Sequence, residues 1–311
     1  MKERWLYLGV LLALGLGWGS TQPLGKIAAS TGYKPFGLIF WQLVVCVVVL
    51  GGLTVLRGKR LPLTPAALRF YLVIAVLGTL VPNATFYISI ARLPAGIMSI
   101  LISMVPLVAF PIALMLGAER FSQRRAMGLA LGMLGVCLIA LPAASLPDPR
   151  MAAFLPLAMV GPLFYALEST YVARFGLNGM DAVQAMFGAS LVGLILCVPI
   201  MLALGHWFPM PLPPGRAEGA LILSSVLHAL LYAGFVWLAS KAGAVFASQC
   251  SYVVTAAGLC WAMVLLGERF SPLVWLAAAV MLAGISLVQP GKRSAIAPDD
   301  APLSPPTMPA A

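Results

Sequence analysis

The sequence Leu116-Gly-Ala-Glu119-Arg120-Phe121-Ser122 returns, one residue shorter, as Leu266-Gly-Glu268-Arg269-Phe270-Ser271. The two Glu-Arg-Phe-Ser tetrads lie 149 positions apart. The same offset relates further residues on either side of the tetrads, namely Arg92 with Lys241, Ala95 with Ala244, Ser99 with Ser248 and Gly135 with Gly284. Correspondence at one fixed offset is the signature of a repeated architecture, so the sequence predicts two related halves.

Both halves consist of apolar segments. Of the 311 residues, 61% are hydrophobic and 9% are charged, and the mean hydropathy is +1.00, whereas a soluble domain carries about 25% charged residues. A helix needs about 20 apolar residues to cross a bilayer. Charges and turn residues separate ten such segments, at roughly 5–28, 36–56, 70–90, 95–117, 126–142, 151–173, 182–204, 218–239, 244–266 and 272–289. The predicted fold class is therefore an all-α membrane protein with ten transmembrane helices.

The two halves are predicted to cross the membrane in opposite senses, because each contains an odd number of helices. With the N-terminus inside, 13 of the 19 Lys and Arg residues lie on the inner side and 6 on the outer side, as the enrichment of cytoplasmic loops in basic residues requires. Both termini are then cytoplasmic. The five-helix repeats are placed at 1–147 and 148–290, and the Pro-rich segment 291–311 is expected to be a disordered tail. Inverted repeats of this kind are typical of secondary transporters.

Short motifs add a resemblance to a known family. Each half ends its fourth helix in a Gly-Glu-like step (Gly117/Glu119 and Gly267/Glu268), and the first half also carries Trp18-Gly19-Ser20, Ser103 to Pro106, and Gly128, Gly132 and Gly135. In their order and spacing, residues 5–290 resemble the EamA-type branch of the drug/metabolite transporter superfamily. The resemblance implies a metabolite transporter of the inner (plasma) membrane. Many members carry an Arg near the start of the second helix where this chain has Gln42, which disfavours an anionic substrate.

Glu168 is the one acidic residue well inside an apolar segment. It lies six residues before Arg174, roughly 9 Å along a helix from that boundary. A charge near the centre of a spanning helix is costly, so such residues usually face a cavity. Glu168 is a candidate for binding a substrate ammonium or exchanging a proton. The alternative is a structural carboxylate that is capped by a neighbouring hydroxyl or paired with Lys241 or Arg174.

The repeat relates polar helix faces in the two halves. Each face carries two polar residues four positions apart, which lie on one side of a helix. The corresponding faces are Thr79/Asn83 with His228/Tyr232, and Ser99/Ser103 with Ser248/Tyr252. Faces that are polar in both halves are expected to point toward a central cavity. The alternative is hydrogen bonding between helices, for which Ser, Thr and Asn are often used.

Several aromatic, histidine and glycine residues also have two alternative interpretations each. Trp18 and Tyr165 are candidates for stacking on an organic substrate, or they serve helix packing. His228 is a candidate for proton coupling, or it is a neutral, hydrogen-bonded core residue. The spacing of Gly128 and Gly132 permits close helix approach, either in a homodimer seam or within one chain.

These features predict a secondary transporter that exports a small neutral, zwitterionic or cationic metabolite such as an amino acid. No ATP-binding P-loop is present, and no catalytic constellation indicates an enzyme. His206 and His228 lack the spacing of a helical metal pair, so no metal or cofactor is expected. The predicted partners are a small-molecule substrate and the lipid bilayer, with no nucleic acid despite the net charge of +10. A non-transporting sensor, a channel, and a carrier of drug-like compounds or sugars remain alternatives.

Overall fold

The computed structural model describes residues 2–115, 121–140, 146–242 and 250–288, and the regular structure within these ranges is helical. The first part contains α1 (Lys2–Ala29), α2 (Pro35–Leu56), α3 (Pro65–Ile74), a π-helical segment (Ala75–Leu80), α4 (Val81–Ile90), α5 (Ala95–Ile102), α6 (Val105–Met115) and α7 (Gln123–Ala140). The second part contains a 3-10 turn (Pro149–Phe154), α8 (Leu155–Phe175), α9 (Ala182–Ala203), α10 (Arg216–Ala242), α11 (Cys250–Leu266) and α12 (Pro272–Val288). The all-α prediction is thus confirmed for the described residues. Glu119, Ser248 and the predicted tail 291–311 lie outside them.

Six helical stretches in the described residues are long and apolar enough to cross a membrane. They are Pro35–Leu56, Pro65–Ile90, Ala95–Ile112, Pro149–Val172, Ala182–Ala203 and Arg216–Phe235, and the helices Cys250–Leu266 and Pro272–Leu287 are apolar but shorter. Large apolar side chains cover the outer surface, with Val55 75% and Val264 74% exposed. An apolar surface of this kind is suited to contact with lipid.

The third predicted segment begins earlier than expected, at Pro65 instead of residue 70. The Thr64 hydroxyl accepts a hydrogen bond from the Ala67 N–H at 3.2 Å, and Pro65 occupies the first helical turn. A Thr cap followed by proline is a strong helix start. This start extends the helix by five residues.

Two helical rods are interrupted just before a proline. In the first, the segment Ala75–Leu80 is π-helical, and the Val81 N–H bonds the Val76 carbonyl five residues back. Pro82 follows directly and has no N–H to donate. In the second, a turn separates α5 from α6 ahead of Pro106. Pro82 thus lies beside an interruption, whereas Pro23 lies within the continuous helix α1.

Helices of the first part pack mainly against helices of the second part. α1 lies against α10 and α11, α2 against α9, α5 against α11, and α7 against α12, while α8 contacts α4 and α6. Glycines allow a close approach between α7 and α12. A Cβ added at Gly284 would lie 2.6 Å from the Gly128 carbonyl oxygen and 3.1 Å from the Gly132 nitrogen. The Gly128/Gly132 face is therefore used within the chain.

An acidic helix cap joins α2 to α9. Asp181 accepts a hydrogen bond from the Gln184 N–H in a capping box, and it also pairs with Arg57 at 3.1 Å and with Lys59 at 2.5 Å. Partial burial acts to raise the pKa of Asp181, but the hydrogen bonds from Lys59 and Gln184 and the charge of Arg57 outweigh it and hold the pKa below its usual value. The C-terminal end of α2 and the N-terminal end of α9 thus meet on one face of the molecule.

Candidate functional site

A small polar cavity lies between α2, the π-helical segment, α9 and α10. Its lining residues are Gln42, Leu43, Cys46, Leu50, Thr79, Met186, Ser190, His228, Ala229 and Tyr232. The cavity volume is about 10 Å³, which is room for about one water molecule. The space in this structure is therefore far smaller than an organic metabolite.

Three predicted site residues meet at this cavity. Thr79 comes from the π-helical segment, and His228 and Tyr232 come from one face of α10. Gln42 joins them from α2, and its side-chain oxygen accepts a hydrogen bond from the Tyr87 hydroxyl at 2.9 Å. The cavity wall thus offers hydroxyl, imidazole and amide groups, and none of its described lining residues is Lys or Arg.

Asn83 and Tyr165 form a second polar contact, between α4 and α8. The Tyr165 hydroxyl donates to Asn83 Oδ1 at 3.3 Å, and Asn83 is buried. Asn83 is one helical turn beyond Thr79, so this contact extends the polar face that begins at the cavity.

The Glu168 carboxylate is buried against the backbone of Gly78 in the π-helical segment. A Cβ added at Gly78 would lie 2.5 Å from Oε1 and 2.8 Å from Oε2 of Glu168. Tyr165 and Tyr232 both lie within electrostatic reach of this carboxylate. Glu168 therefore lies against the residue next to Thr79, which lines the cavity.

No described Lys or Arg side chain forms an ion pair with Glu168. Arg174, one of the predicted alternatives, instead lies over the Phe175 ring at 5.9 Å. The side chain of Lys241, the other alternative, lies outside the described part of the chain. A carboxylate buried without a counter-ion is costly, so this arrangement suits a group that receives a proton or an external cation.

The two predicted serines occupy a helix seam away from the cavity. Ser99 is fully buried, donates to the Ala95 carbonyl at 3.1 Å, and packs so closely on α11 that a Cβ at Gly258 would collide with its hydroxyl. Ser103 donates to the Ile100 carbonyl at 2.7 Å. Both hydroxyls donate to carbonyls of their own helix.

The remaining predicted aromatic residues also lie outside the cavity wall. Trp18 makes an edge contact with Phe235, with ring centroids 5.5 Å apart. Tyr252 is partly buried and packs against the main hydrophobic core. These contacts hold α1, α10 and α11 together.

Sequence patterns did not identify Gly78, Tyr87 or Ser190 as part of this region. Tyr87 follows Asn83 by four positions and so extends the same polar face, which is a usable signal. Gly78 carries no such signal, because its role arises from a side chain 90 positions away that packs on its backbone.

Known proteins agree with this architecture. The sequence model of the EamA-like transporter family matches residues 5–141 and again residues 153–289. The uncharacterized inner membrane transporter YedA of Escherichia coli K12 is 26% identical over 290 residues, covering 91% of this chain and 90% of YedA. The YedA proteins of Escherichia coli O6:H1 and O157:H7 match to the same extent.

A solved crystal structure shares the fold. It superposes with a TM-score of 0.61 at 17% identity and covers 89% of this chain and 94% of its own. The helical architecture, its long apolar spans and the family match over both parts of the sequence lead to one assignment: the chain is a membrane transporter that belongs to the EamA-like transporter family.

Proposed function

We propose that the chain is a secondary transporter that carries a small neutral, zwitterionic or cationic metabolite, such as an amino acid, across the inner membrane by alternating access. In this proposal ten spanning helices form two inverted five-helix repeats, 1–147 and 148–290, with both termini in the cytoplasm. Export is the proposed direction, and an ion gradient or the substrate's own gradient supplies the energy.

The pattern of helix contacts supports the repeat. α1, the first helix of the first repeat, packs against α10 and α11, the third and fourth spans of the second repeat. α8, the first helix of the second repeat, packs against α4 and α6, which belong to the third and fourth spans of the first repeat. The contacts of α2 with α9 and of α7 with α12 join equivalent spans. Exchanging the two halves therefore reproduces the main contacts.

The observation that carries the proposal is a polar site at the junction of the two proposed repeats. The first repeat contributes α2 and the π-helical segment, and the second contributes α9 and α10. Secondary transporters built from inverted repeats bind substrate at such a junction, near the membrane midplane, and move the halves around it. A cavity of about 10 Å³ fits the closed intermediate of that cycle.

The charges around the site favour the proposed substrate class. Glu168 is buried against Gly78, the neighbour of the cavity residue Thr79, and no Lys or Arg is among the described residues that line the cavity. A strongly anionic substrate would meet a carboxylate and no compensating cation. In the proposed site Thr79, Asn83, Tyr165, His228 and Tyr232 surround the substrate with Glu168, while the other predicted residues hold helices together.

Flux in sealed proteoliposomes tests the proposal. The reconstituted full chain is supplied with pooled labelled amino acids, with and without an imposed pH gradient. Wild-type flux is expected to saturate and to accelerate when unlabelled substrate is placed on the far side, because a carrier must return through its cycle. Non-saturating flux without that acceleration would instead indicate a channel. If no pooled compound moves, the amino-acid substrate is wrong.

Glu168→Gln tests the acid itself. This variant is expected to lose transport, or the response of transport to the pH gradient, while Asp148→Asn, which changes an exposed carboxylate, is expected to transport normally. Full transport by Glu168→Gln with an unchanged response to the gradient would rule out the role of Glu168.

A further inference from the structure

The break in the third span leaves backbone carbonyls without helical donors. The Val81 N–H bonds the Val76 carbonyl, Pro82 has no N–H, and α-helical bonding resumes with α4. The N–H of Asn83 is then the one helical donor left for three carbonyls, those of Leu77, Gly78 and Thr79. No hydrogen bond from a described side chain reaches them. Two of the three carbonyls are therefore free to bind another group.

These carbonyls lie at the middle of the span. Gly78 is thirteen residues from Pro65 and twelve from Ile90, which places it roughly 18–20 Å along the helix from either end. Free carbonyls at this depth are costly unless they bind a partner or line a cavity. Thr79 lines the cavity described above, so this stretch has access to it.

The buried Glu168 carboxylate lies against the same stretch. Its two oxygens occupy the space that a Cβ on Gly78 would take. One carboxylate and two carbonyls thus lie within a single helical turn, with no described cation beside them. Half-broken helices that offer carbonyls at midplane are a general means of binding cations in transporters.

We infer that the Glu168 carboxylate and the two free carbonyls of the Leu77–Thr79 stretch form a subsite for the primary ammonium group of the transported substrate. The inference rests on the proposed function and makes its substrate class specific. A primary ammonium has three N–H donors, and the subsite has three acceptor groups. A bound cation also offsets the cost of burying the carboxylate. Gly78 is needed because any side chain there would displace Glu168.

Binding of methylammonium chloride to the purified full chain tests the subsite. Tetramethylammonium chloride at equal ionic strength is the matched probe, because it carries the same charge and has no N–H donor. Methylammonium is expected to raise the melting temperature, and tetramethylammonium is not. Equal shifts by both probes, or no shift by methylammonium, would overturn the inference. An increase in melting temperature with NaCl but not with methylammonium chloride would overturn the inference and indicate a sodium site instead.

Two variants locate the effect on the subsite. Glu168→Gln removes the charge, and Gly78→Ala moves the carboxylate away, which the flexible Glu side chain permits without disturbing the backbone. Both are expected to raise the Kd of methylammonium at least about tenfold, the loss typical of one charged hydrogen bond. Gly52→Ala, where an added Cβ meets no atom within 4 Å, is expected to bind like wild type.

Unchanged methylammonium binding by Glu168→Gln, or by a Gly78→Ala variant that elutes as a folded monodisperse species, would overturn the subsite. Its failure is also distinguishable from failure of the proposed function. Amino-acid flux without methylammonium binding would retain the transporter and remove this subsite. Methylammonium binding without flux of any pooled amino acid would retain the subsite and remove the amino acid as the proposed substrate.

Discussion

Replacing Gly284 with alanine is expected to separate α7 from α12. The new Cβ would lie 2.6 Å from the Gly128 carbonyl oxygen and 3.1 Å from the Gly132 nitrogen. Both are backbone atoms, so no side-chain rotation relieves the contact and the helices must move apart. Overpacking of this kind costs about 1–3 kcal/mol, whereas alanine gains about 1 kcal/mol over glycine in a helix. Because the clash involves backbone, we expect a net loss of about 1–2 kcal/mol.

Equilibrium unfolding of the full chain in mixed detergent micelles measures this loss. Gly219→Ala in α10 is the matched control, since its added Cβ meets no atom within 4 Å. The control is expected to be unchanged or to gain up to about 1 kcal/mol. A Gly284→Ala variant as stable as wild type would refute the close α7–α12 seam. Wild-type monomer stability combined with loss of a dimer would show that the Gly128/Gly132 face serves a second copy.

Two further predictions concern charged contacts at the helix ends. Glu268 accepts hydrogen bonds from the N–H groups of Ala95 and Gly96 at 2.7 and 3.0 Å, so Glu268→Gln is expected to lower the free energy of unfolding by about 1–2 kcal/mol in the same assay; wild-type stability would contradict the cap. The pKa of Asp181 in the folded state is lowered, so this carboxylate stabilises the fold at pH values above its unfolded pKa of about 3.9. That stabilisation is lost as the pH falls through the lower pKa of the folded state. Wild type is therefore expected to lose stability as the pH falls below about 4, and Asp181→Asn is expected to lack that loss. Identical curves of unfolding free energy against pH for the two proteins would refute this.

Much of the fold was predictable because the hydropathy pattern and the repeat both extend over long stretches of the sequence. The segments predicted at 36–56 and 182–204 are α2 at Pro35–Leu56 and α9 at Ala182–Ala203. The convergence of Thr79 with His228 followed from polar residues at equivalent positions of two repeats.

The details of the site were less predictable because they depend on which helix faces meet. Ser99 lies in a seam against Gly258, although its polar spacing matches that of Thr79. A hydroxyl every fourth residue is equally suited to a cavity and to an interhelical seam. The contact of the Glu168 carboxylate with Gly78 depends on the packing of α8 against the π-helical segment. No local sequence pattern indicates that packing.

The two charged contacts also bear on how the proposed carrier would move. The Asp181 cluster joins α2 to α9 at one end of α2. At the opposite end, Glu268 joins the α11–α12 connection to the start of α5, and Lys26 of α1 donates to the Leu93 carbonyl at 2.8 Å. The Asp181 and Glu268 contacts are separated by roughly the 33 Å length of α2, and each links one proposed repeat to the other, whereas the Lys26–Leu93 hydrogen bond lies within the first repeat.

A carrier that is closed around a cavity of one water molecule must be closed at both ends, and these contacts supply a closure at each. Alternating access then requires one closure to open while the other holds. Each consists of a few partly exposed charged hydrogen bonds at helix ends, whereas in the α7–α12 seam Gly284 lies directly against the backbone of Gly128 and Gly132. In the proposed cycle the closures are therefore the weaker parts of the junction, and the halves separate at one end while the glycine seam keeps them together.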